Sequence, residues 1–275
     1  MWFSTFGSWR ATFVNLFVLL TLVLNAAAQA LGVVLDKATF EDSNLVCYSS
    51  KLTFEQDTSS LFTDEQLFGL AKTAYEDMTA QFPDDGIDVY HQPIMMAALA
   101  IGKNVYLSSS LRGGPFLYNH VDAHLKPKVL LALERCQTAL QQETTGVPVD
   151  IQHRNRASCA EIFAVHQYYV DPDVSEEARR HHPPGRVAVW GRHKRGFITA
   201  PQAACGGGET MRDGSLTWGC KHFMKSEGIR VIPRRPKPVN LNLPDPFPPF
   251  SSKQISIMYT GRRATDSPGP APRDE

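Results

Sequence analysis

The sequence has no excess of charge of either sign: 28 lysines and arginines are balanced by 28 aspartates and glutamates in 275 residues. A balanced chain gives no global electrostatic reason to expect a polyanionic partner. After residue 30 the sequence has no apolar run long enough to cross a bilayer, and it has no internal repeats. It also lacks G-x-S-x-G and H-E-x-x-H, the motifs of two hydrolase classes, and its CGGGET segment lacks the Lys-Ser/Thr of a phosphate loop.

The one long apolar stretch lies near the N-terminus. Arg10 precedes the run FVNLFVLLTLVL at 13–24, and Ala28 and Ala30 stand where a small-residue cleavage site needs them. The run has about 12 residues, whereas a membrane span needs roughly 20. A secretory signal peptide over residues 1–30, cleaved after Ala30, is therefore favoured over a membrane anchor. We expect a secreted, extracellular protein that has no membrane association after cleavage.

Cysteine is scarce, with five in the chain: Cys47, Cys136, Cys159, Cys205 and Cys220. Secretion favours disulfides, but an odd number of thiols cannot all pair within one chain. Either one thiol is free, or an odd number of thiols has another role. Three thiols on a metal and a Cys47–Cys136 disulfide is one such division, although spacing does not establish the pairing. The alternatives are a Cys205–Cys220 disulfide and a Cys159 that is buried and free.

Hydrophobic periodicity and turn residues predict a series of helices and strands. They are a helix over 61–82 with Thr63 and Gln66 as a capping box, a hairpin over 91–114, a helix over 120–143 that becomes regular near Pro127, a helix over 156–170, a strand over 185–192, a helix over 217–228 and a strand over 229–233. A further strand is a candidate at 253–260, and residues 263–275 have the composition of a disordered tail. This order predicts an α/β fold, a three-layer α/β/α sandwich with a mixed sheet, in a domain over 31–262 with its core at about 61–235.

Three of the cysteines fall at special places in this order. Cys159 lies near the start of the helix over 156–170, and Cys205 and Cys220 lie between the strand over 185–192 and the start of the next helix. Helix N-termini stabilise thiolates, and three thiolates leave the fourth position of a tetrahedral zinc open. Glu161, two residues after Cys159, is placed to accept a proton from a water on the metal. The alternative for Glu161 is a first-turn acid that the helix dipole favours.

Residues 64–260 resemble the zinc-dependent cytidine deaminase-like superfamily. That superfamily has H/C-x-E on one helix, then a strand, then P-C-x-x-C at the start of a second helix. Here the first half is CAE at 159–161, and the second half is PQAACGGGETMRDGSLTWGC at 201–220. The cysteine-first motif is similar to that of the YwqJ-like branch of secreted toxins and their fungal relatives. Two departures are the position of Pro201, four residues before Cys205, and the 14 residues between Cys205 and Cys220, which we interpret as a looped-out insertion.

The resemblance implies a cytidine deaminase-like fold and a function. Cys159, Cys205 and Cys220 would be zinc ligands, and Glu161 would be the catalytic proton shuttle. The substrate would be a nucleobase whose exocyclic amine is hydrolysed, in a nucleoside, a nucleotide or a nucleic acid. The competing hypothesis is a catalytically inactive, disulfide-stabilised secreted interaction protein that retains the fold. The sequence leaves the oligomeric state open.

Several other residues are weaker candidates. His166 lies on the same helix face as Cys159 and is a candidate pocket residue, and His222 is a candidate replacement ligand, whereas His181 and His182 are typical of a solvated loop. The basic stretches 186–195 and 230–238 include Arg186, Arg192, His193, Lys194 and Arg195, with Trp190 nearby. They are candidates for phosphate contacts and base stacking, although solvated strand ends are the favoured interpretation.

Overall fold

The fold is taken from a computed structural model, which describes residues 30–119, 126–193, 198–206, 209–211, 213–234 and 241–258. The predicted signal peptide, the predicted tail and Lys194 and Arg195 lie outside the described residues. The chain separates into a short unit, Met1–Leu31, and a large unit, Gly32–Glu275. The description below concerns the large unit.

The strands all belong to one sheet. They are β1 (Val34–Leu35), β2 (Tyr48–Phe54), β3 (Met95–Ile101), β4 (Asn104–Ser109), β5 (Gly185–Arg192), β6 (Thr199–Gln202), β7 (Ile229–Val231) and β8 (Phe250–Lys253). The order across the sheet is β1-β2-β4-β3-β5-β6, with β8 beside β2 and β7 beside β5. The β5–β7 pair is parallel and the other pairs are antiparallel, so the sheet is mixed, as predicted.

The helices are α1 (Lys37–Ser43), α2 (Thr58–Leu61), α3 (Asp64–Gln81), α4 (Lys128–Glu143), α5 (Ala160–Val170), α6 (Glu176–Arg180) and α7 (Cys220–Ser226). Those predicted at 61–82, 120–143 and 217–228 are confirmed in kind. Helix α3 begins with the predicted capping box, in which the Gln66 amide donates to Thr63 Oγ1 at 3.2 Å and the Thr63 amide donates to Gln66 Oε1 at 2.9 Å. Pro127 is the N-cap residue of α4, close to the predicted start of the regular helix, and Cys136 of α4 is buried.

Helices pack on both faces of the sheet. Strand β3 is the first strand of the predicted hairpin. Its residues Ala97, Leu99 and Ile101 belong to a buried cluster that also contains residues of α4, α5 and α7. Side chains alternate along a strand, so Met96 and Ala98 face the other side, where α3 packs against β3 and β5. The molecule is therefore a mixed α/β structure whose central strands are covered on both faces, as the apolar sequence of β3 predicts.

Two predicted boundaries are wrong. The helix over 156–170 begins at Ala160, because Asn155, Arg156 and Ala157 have left-handed φ values of 61°, 51° and 56° and cannot continue a right-handed helix. The strand candidate at 253–260 is also displaced: β8 ends at Lys253, and residues 254–258 are not strand. The sheet moreover extends beyond the predicted core of 61–235, since β1, β2 and β8 all lie outside it.

Candidate metal centre

The first cysteine of the site, Cys159, is the N-cap residue of α5. The chain reaches it through the left-handed residues 155–157, and the Ser158 carbonyl then accepts a hydrogen bond from the Leu111 amide at 3.1 Å, beyond the end of β4. The Cys159 thiol makes no capping bond. It instead accepts from Asn155 Nδ2 at 3.5 Å. The side chain is thus free to point at the other thiols from the start of the helix, where the helix dipole stabilises a thiolate.

The segment between Cys205 and Cys220 loops out and returns. The Cys220 amide donates to Cys205 Sγ at 3.1 Å, and the Lys221 amide donates to the Cys205 carbonyl at 3.1 Å. Cys220 is the first residue of α7, and Gly219 before it has no side chain to separate the two cysteines. The 14-residue gap therefore does not keep the two thiols apart.

The returning segment is held against the chain that precedes Cys159. Leu216 exchanges hydrogen bonds with Pro148 and Asp150: its amide donates at 2.7 Å and its carbonyl accepts at 3.0 Å. Trp218, only 1 % exposed, donates from its indole to the Asp150 carbonyl at 2.8 Å. These contacts fix residues 216–218 beside residues 148–154.

His153 is a candidate ligand that the sequence prediction missed. Its Nε2 lies 3.7 Å from Cys205 Sγ, and its ring packs edge-on against Trp218 with centroids 5.2 Å apart. Its other ring nitrogen, Nδ1, is buried and has no hydrogen-bond partner among the described residues. The only signal in the sequence was the position of His153 six residues before Cys159 in the same connection. That signal is weak, because the left-handed turn and the Trp218 contact that bring the ring to the thiols leave no periodic pattern.

The four side chains together fit a zinc ion. One ligand atom each from His153, Cys159, Cys205 and Cys220 lies within 4.8 Å of every other. Cys159 Sγ and Cys205 Sγ are 3.7 Å apart, and two thiolates on a tetrahedral zinc, each at about 2.3 Å, stand about 3.8 Å apart. Imidazole and thiolate donors suit zinc better than they suit magnesium or calcium. The structure thus brings the three predicted cysteines together and adds a histidine.

The pKa values of the three cysteine thiols are shifted in different directions. Hydrogen bonds from the Cys159 and Cys220 thiols hold the pKa of Cys205 far below its usual range, and His153 lowers it further. The hydrogen bond to Cys205 raises the pKa of Cys159, while burial is the main cause of the raised pKa of Cys220. Cys205 is therefore the thiol that loses its proton most readily, and a bound cation would displace the protons of all three thiols.

Glu161 lies beside the cluster in the first turn of α5 and is 4 % exposed. It is not one of the four donors that converge. Burial is the main reason that the pKa of the Glu161 carboxyl is raised to about 8, and the negative charge of Cys205 raises it further. A hydrogen bond from Cys220 lowers this pKa but does not offset the increase. A carboxyl group that touches a metal-ligand cluster without belonging to it has the placement of a proton carrier.

A cavity of about 430 Å³ opens onto the cluster. Glu161, Cys159 and Cys205 form one part of its wall, and the end of β4 with the turn after it forms another. The remaining lining residues come from the start of β3, from the left-handed turn and the start of α5, and from the region of β5 and β6: Ile94, Met95, Asn155, Arg156, Ser158, Ala160, Val189, Gln202 and Ala203. A cavity of this size accommodates a small organic molecule.

The other candidate histidines lie elsewhere. His166 is 1 % exposed, with Nε2 2.7 Å from the Ile257 carbonyl, and does not line the cavity. His222 Nδ1 accepts from the Gly219 amide at 3.5 Å, and the ring is not one of the four donors. His181 is exposed, as the solvated-loop interpretation predicts, whereas His182 is half-buried, with its ring centroid 6.0 Å from that of Tyr168.

The structure contradicts the suggested disulfides and, for Arg186 and Trp190, the less favoured interpretation as substrate contacts. Cys47 and Cys136 are buried free thiols, and Cys205 and Cys220 are also free, so neither suggested disulfide is present in the structure. Arg186 does not reach a substrate site, because it pairs with Asp64 at 3.1 Å and donates to the Phe62 carbonyl. Trp190 is 7 % exposed, too buried to act as a stacking platform on the surface.

Comparisons with protein-family models, with curated proteins and with solved structures found no match to this chain. Among the described residues, no helix has both the length and the apolar character that a membrane crossing requires.

Proposed function

We propose that this chain is a zinc-dependent hydrolase that removes the exocyclic amine of a nucleobase. The observation that carries the proposal is Glu161, a carboxyl group buried in the wall of a 430 Å³ cavity beside three convergent cysteines. Acids are rarely buried without a charged partner unless they have a function. The resemblance of CAE and the second cysteine pair to the cytidine deaminase-like superfamily, with its three-layer fold, supports the choice of reaction.

Cys159, Cys205 and Cys220 would hold the metal, with His153 beside them. A zinc ion held there supplies Lewis-acid activation of a water molecule. Glu161 would take a proton from the attacking water and deliver it to a ring nitrogen of the base as the carbon–oxygen bond forms. It would then pass the proton of the newly added hydroxyl group to the amine, so that the carbon–nitrogen bond breaks and the products are a carbonyl group and ammonia. We further propose, from residues 1–30, that the enzyme acts outside the cell.

The experiment compares Glu161→Gln with the wild-type protein after zinc loading. We expect Glu161→Gln to retain about one zinc per chain, because it is not a ligand, and to lose ammonia release by about 10²- to 10⁴-fold or more. The substrates are cytidine, adenosine, their monophosphates and a single-stranded oligonucleotide. Cys159→Ser should instead lose zinc.

The matched control is Glu134→Gln, an exposed acid of α4 that pairs with Lys126 at 2.6 Å. This variant should retain both zinc and turnover. Full ammonia release by Glu161→Gln would refute the assigned role of the carboxyl group.

His153 favours a second candidate function. Three cysteines and a histidine can fill all four positions of zinc, which is the arrangement of structural rather than catalytic sites. The chain would then be a zinc-stabilised secreted interaction protein without activity. X-ray absorption of the zinc-loaded protein separates the two functions. The interaction protein is favoured if the spectrum shows three sulfur ligands and one nitrogen ligand, if the nitrogen ligand is lost in His153→Ala, and if no substrate releases ammonia. The enzyme is favoured if His153→Ala leaves the zinc spectrum unchanged.

A further inference from the structure

Arg112 is an unusual residue for the wall of this cavity. It follows β4 and is one of the residues that line the cavity together with Glu161 and Cys159. Its Nε is buried and has no hydrogen-bond partner, and its guanidinium makes no ion pair with any residue the structure describes. A buried polar group without a partner is costly. A guanidinium left in this state is a ready donor for a negatively charged ligand.

The other arginines near the sheet show the contrast. Arg186 and Arg230 both bind Asp64, at 3.1 Å and 2.7 Å. Arg154 pairs with Glu209 at 3.2 Å. Within the described lining of the cavity, the only acidic side chain is Glu161. These three arginines therefore have carboxylate partners, whereas Arg112 has none among the described residues.

The backbone fixes the position of Arg112. Its amide donates to the Val46 carbonyl at 3.1 Å, and its carbonyl accepts from the Val46 amide at 2.9 Å. Gly113 follows with a φ of +99°, and a Cβ there would stand 2.5 Å from the Asn44 carbonyl oxygen. The turn can therefore approach residues 44–46 closely only with glycine at this position. This pairing fixes the backbone of Arg112 at the cavity wall.

Two further arginines add positive charge near Arg112. Arg156 lines the same cavity from the left-handed turn, and the structure gives it no ion pair among the described residues. Arg192, at the end of β5, is close enough that its charge, after the larger effect of burial, lowers the pKa of Arg112. Positive charges that lie close together repel one another, and a bound anion would reduce this repulsion.

We propose that Arg112 binds a phosphate group of the substrate, so that the site takes a phosphorylated nucleoside rather than a free base or nucleoside. This inference rests on the proposed function, because it places the phosphate in the same cavity as Glu161. A guanidinium donates two parallel hydrogen bonds to a phosphate, which fixes orientation as well as adding affinity. The phosphate can be the monoester of a mononucleotide or the diester of a single strand.

The test measures binding by isothermal titration calorimetry in the zinc-loaded Glu161→Gln background, so that no ligand is consumed. The probes are cytidine, adenosine, their 5′-monophosphates and short single-stranded oligonucleotides of dC and dA, at one salt concentration. We expect phosphorylated probes to bind about 10- to 100-fold more tightly than nucleosides, since one charged hydrogen-bonded pair contributes that much. Arg112→Met should remove this difference and leave nucleoside affinity nearly unchanged.

Arg180→Met is the matched control, because Arg180 is 72 % exposed and lies on α6, outside the cavity lining. It should leave the preference intact, and Arg112→Lys should restore part of it. The melting temperature of each variant checks that it is folded. An advantage confined to oligonucleotides assigns the site to phosphodiesters, and an advantage for monophosphates assigns it to mononucleotides.

Equal affinity of the folded wild-type background for nucleosides and all phosphorylated probes overturns the proposal, as does an Arg112→Met variant that weakens both classes equally. The two proposals fail separately. Ammonia release from nucleosides without any preference for phosphate keeps the deaminase and refutes the Arg112 site. Phosphate binding that depends on Arg112, without ammonia release from any substrate by the active protein, keeps the anion site and refutes the deaminase.

Discussion

At the scale of single residues, Gly219 allows Cys205 and Cys220 to lie close together despite the 14 residues between them. A Cβ at this position would stand 2.5 Å from the Cys205 carbonyl oxygen and 2.9 Å from Cys205 Sγ. Since φ here is −154°, ordinary extended backbone, the constraint is the space and not the conformation. Gly219→Ala should push Cys220 away from Cys205 and weaken zinc binding by about 10- to 100-fold, the range seen when groups that orient metal ligands are lost.

Competition with a chromogenic chelator measures this loss of zinc affinity. The control is Gly206→Ala, because Gly206 is also next to Cys205 but a Cβ there would meet nothing within 4 Å. Equal zinc affinities of Gly219→Ala and Gly206→Ala would show that the two cysteines do not bind one ion.

The residues of the site were predictable from the sequence to different degrees. Cys159, Cys205 and Cys220 could be proposed because the starts of helices are visible in hydrophobic periodicity, and a thiol there has a chemical meaning. His153 and Arg112 could not. His153 reaches the thiols through a turn of three left-handed residues, and Arg112 is distinctive because it lines the cavity with a buried Nε that has no partner among the described residues. Neither property leaves a pattern in the sequence.

At the scale of elements, Asp64 joins α3 to two strands. It lies in the first turn of α3, and its carboxylate binds Arg230 of β7 and Arg186 of β5. The hydrogen bond from Arg230 is the main cause of a pKa below the usual aspartate value, against the opposing effect of burial. An acid whose pKa is lower in the folded state contributes stability above its unfolded pKa of about 3.9, and that contribution is lost as the pH falls through the folded value.

Asp64→Asn should lower the free energy of unfolding at pH 7, and its difference in unfolding free energy from the wild-type protein should shrink steadily below about pH 4. Urea unfolding between pH 3 and pH 7 measures the two curves. Asp84→Asn, an exposed site after α3, should show a small difference at every pH. A deficit of Asp64→Asn that stays constant down to pH 3 would mean that the ion pairs do not stabilise the fold.

The elements that the sequence predicted are those whose packing follows a period. Helix α3 and the β3–β4 hairpin have regular apolar positions and clear end signals, and both are confirmed. Strand β2 was missed because its centre, Ser49, Ser50 and Lys51, is polar although every one of these residues is buried. Lys51 is satisfied by Asp171 at 2.7 Å, a partner 120 positions away in the chain. Tertiary contacts of this kind override the alternation from which strands are predicted.

At the scale of the whole molecule, segments from both ends of the described chain complete the sheet. Strand β2 pairs with β4 along one edge and with β1 and β8 along the other. Asp36, 1 % exposed, accepts hydrogen bonds from the Ile257 amide at 2.8 Å and from Ser256 Oγ at 2.9 Å. The residues before 61 and after 235 are therefore structural parts of the fold, although the sequence alone placed the core at 61–235.

A chain of residues 61–235 should for this reason fail to fold, while residues 32–258 should fold. Removing β2 exposes the edge of β4 and takes Lys51 from Asp171, whose side chain is fully buried and also accepts from Tyr106 at 2.7 Å. Loss of one partner of a buried ion pair alone costs about 3–5 kcal/mol, a large part of the stability of a typical domain. Circular dichroism and urea unfolding should show a cooperative transition for 32–258 and none for 61–235.

Adding zinc should not rescue the shorter chain, even though it contains all four candidate ligands, because the missing strand belongs to the sheet that positions them. A cooperative transition in the shorter chain would show that residues 61–235 form a core that folds without β2 and β8.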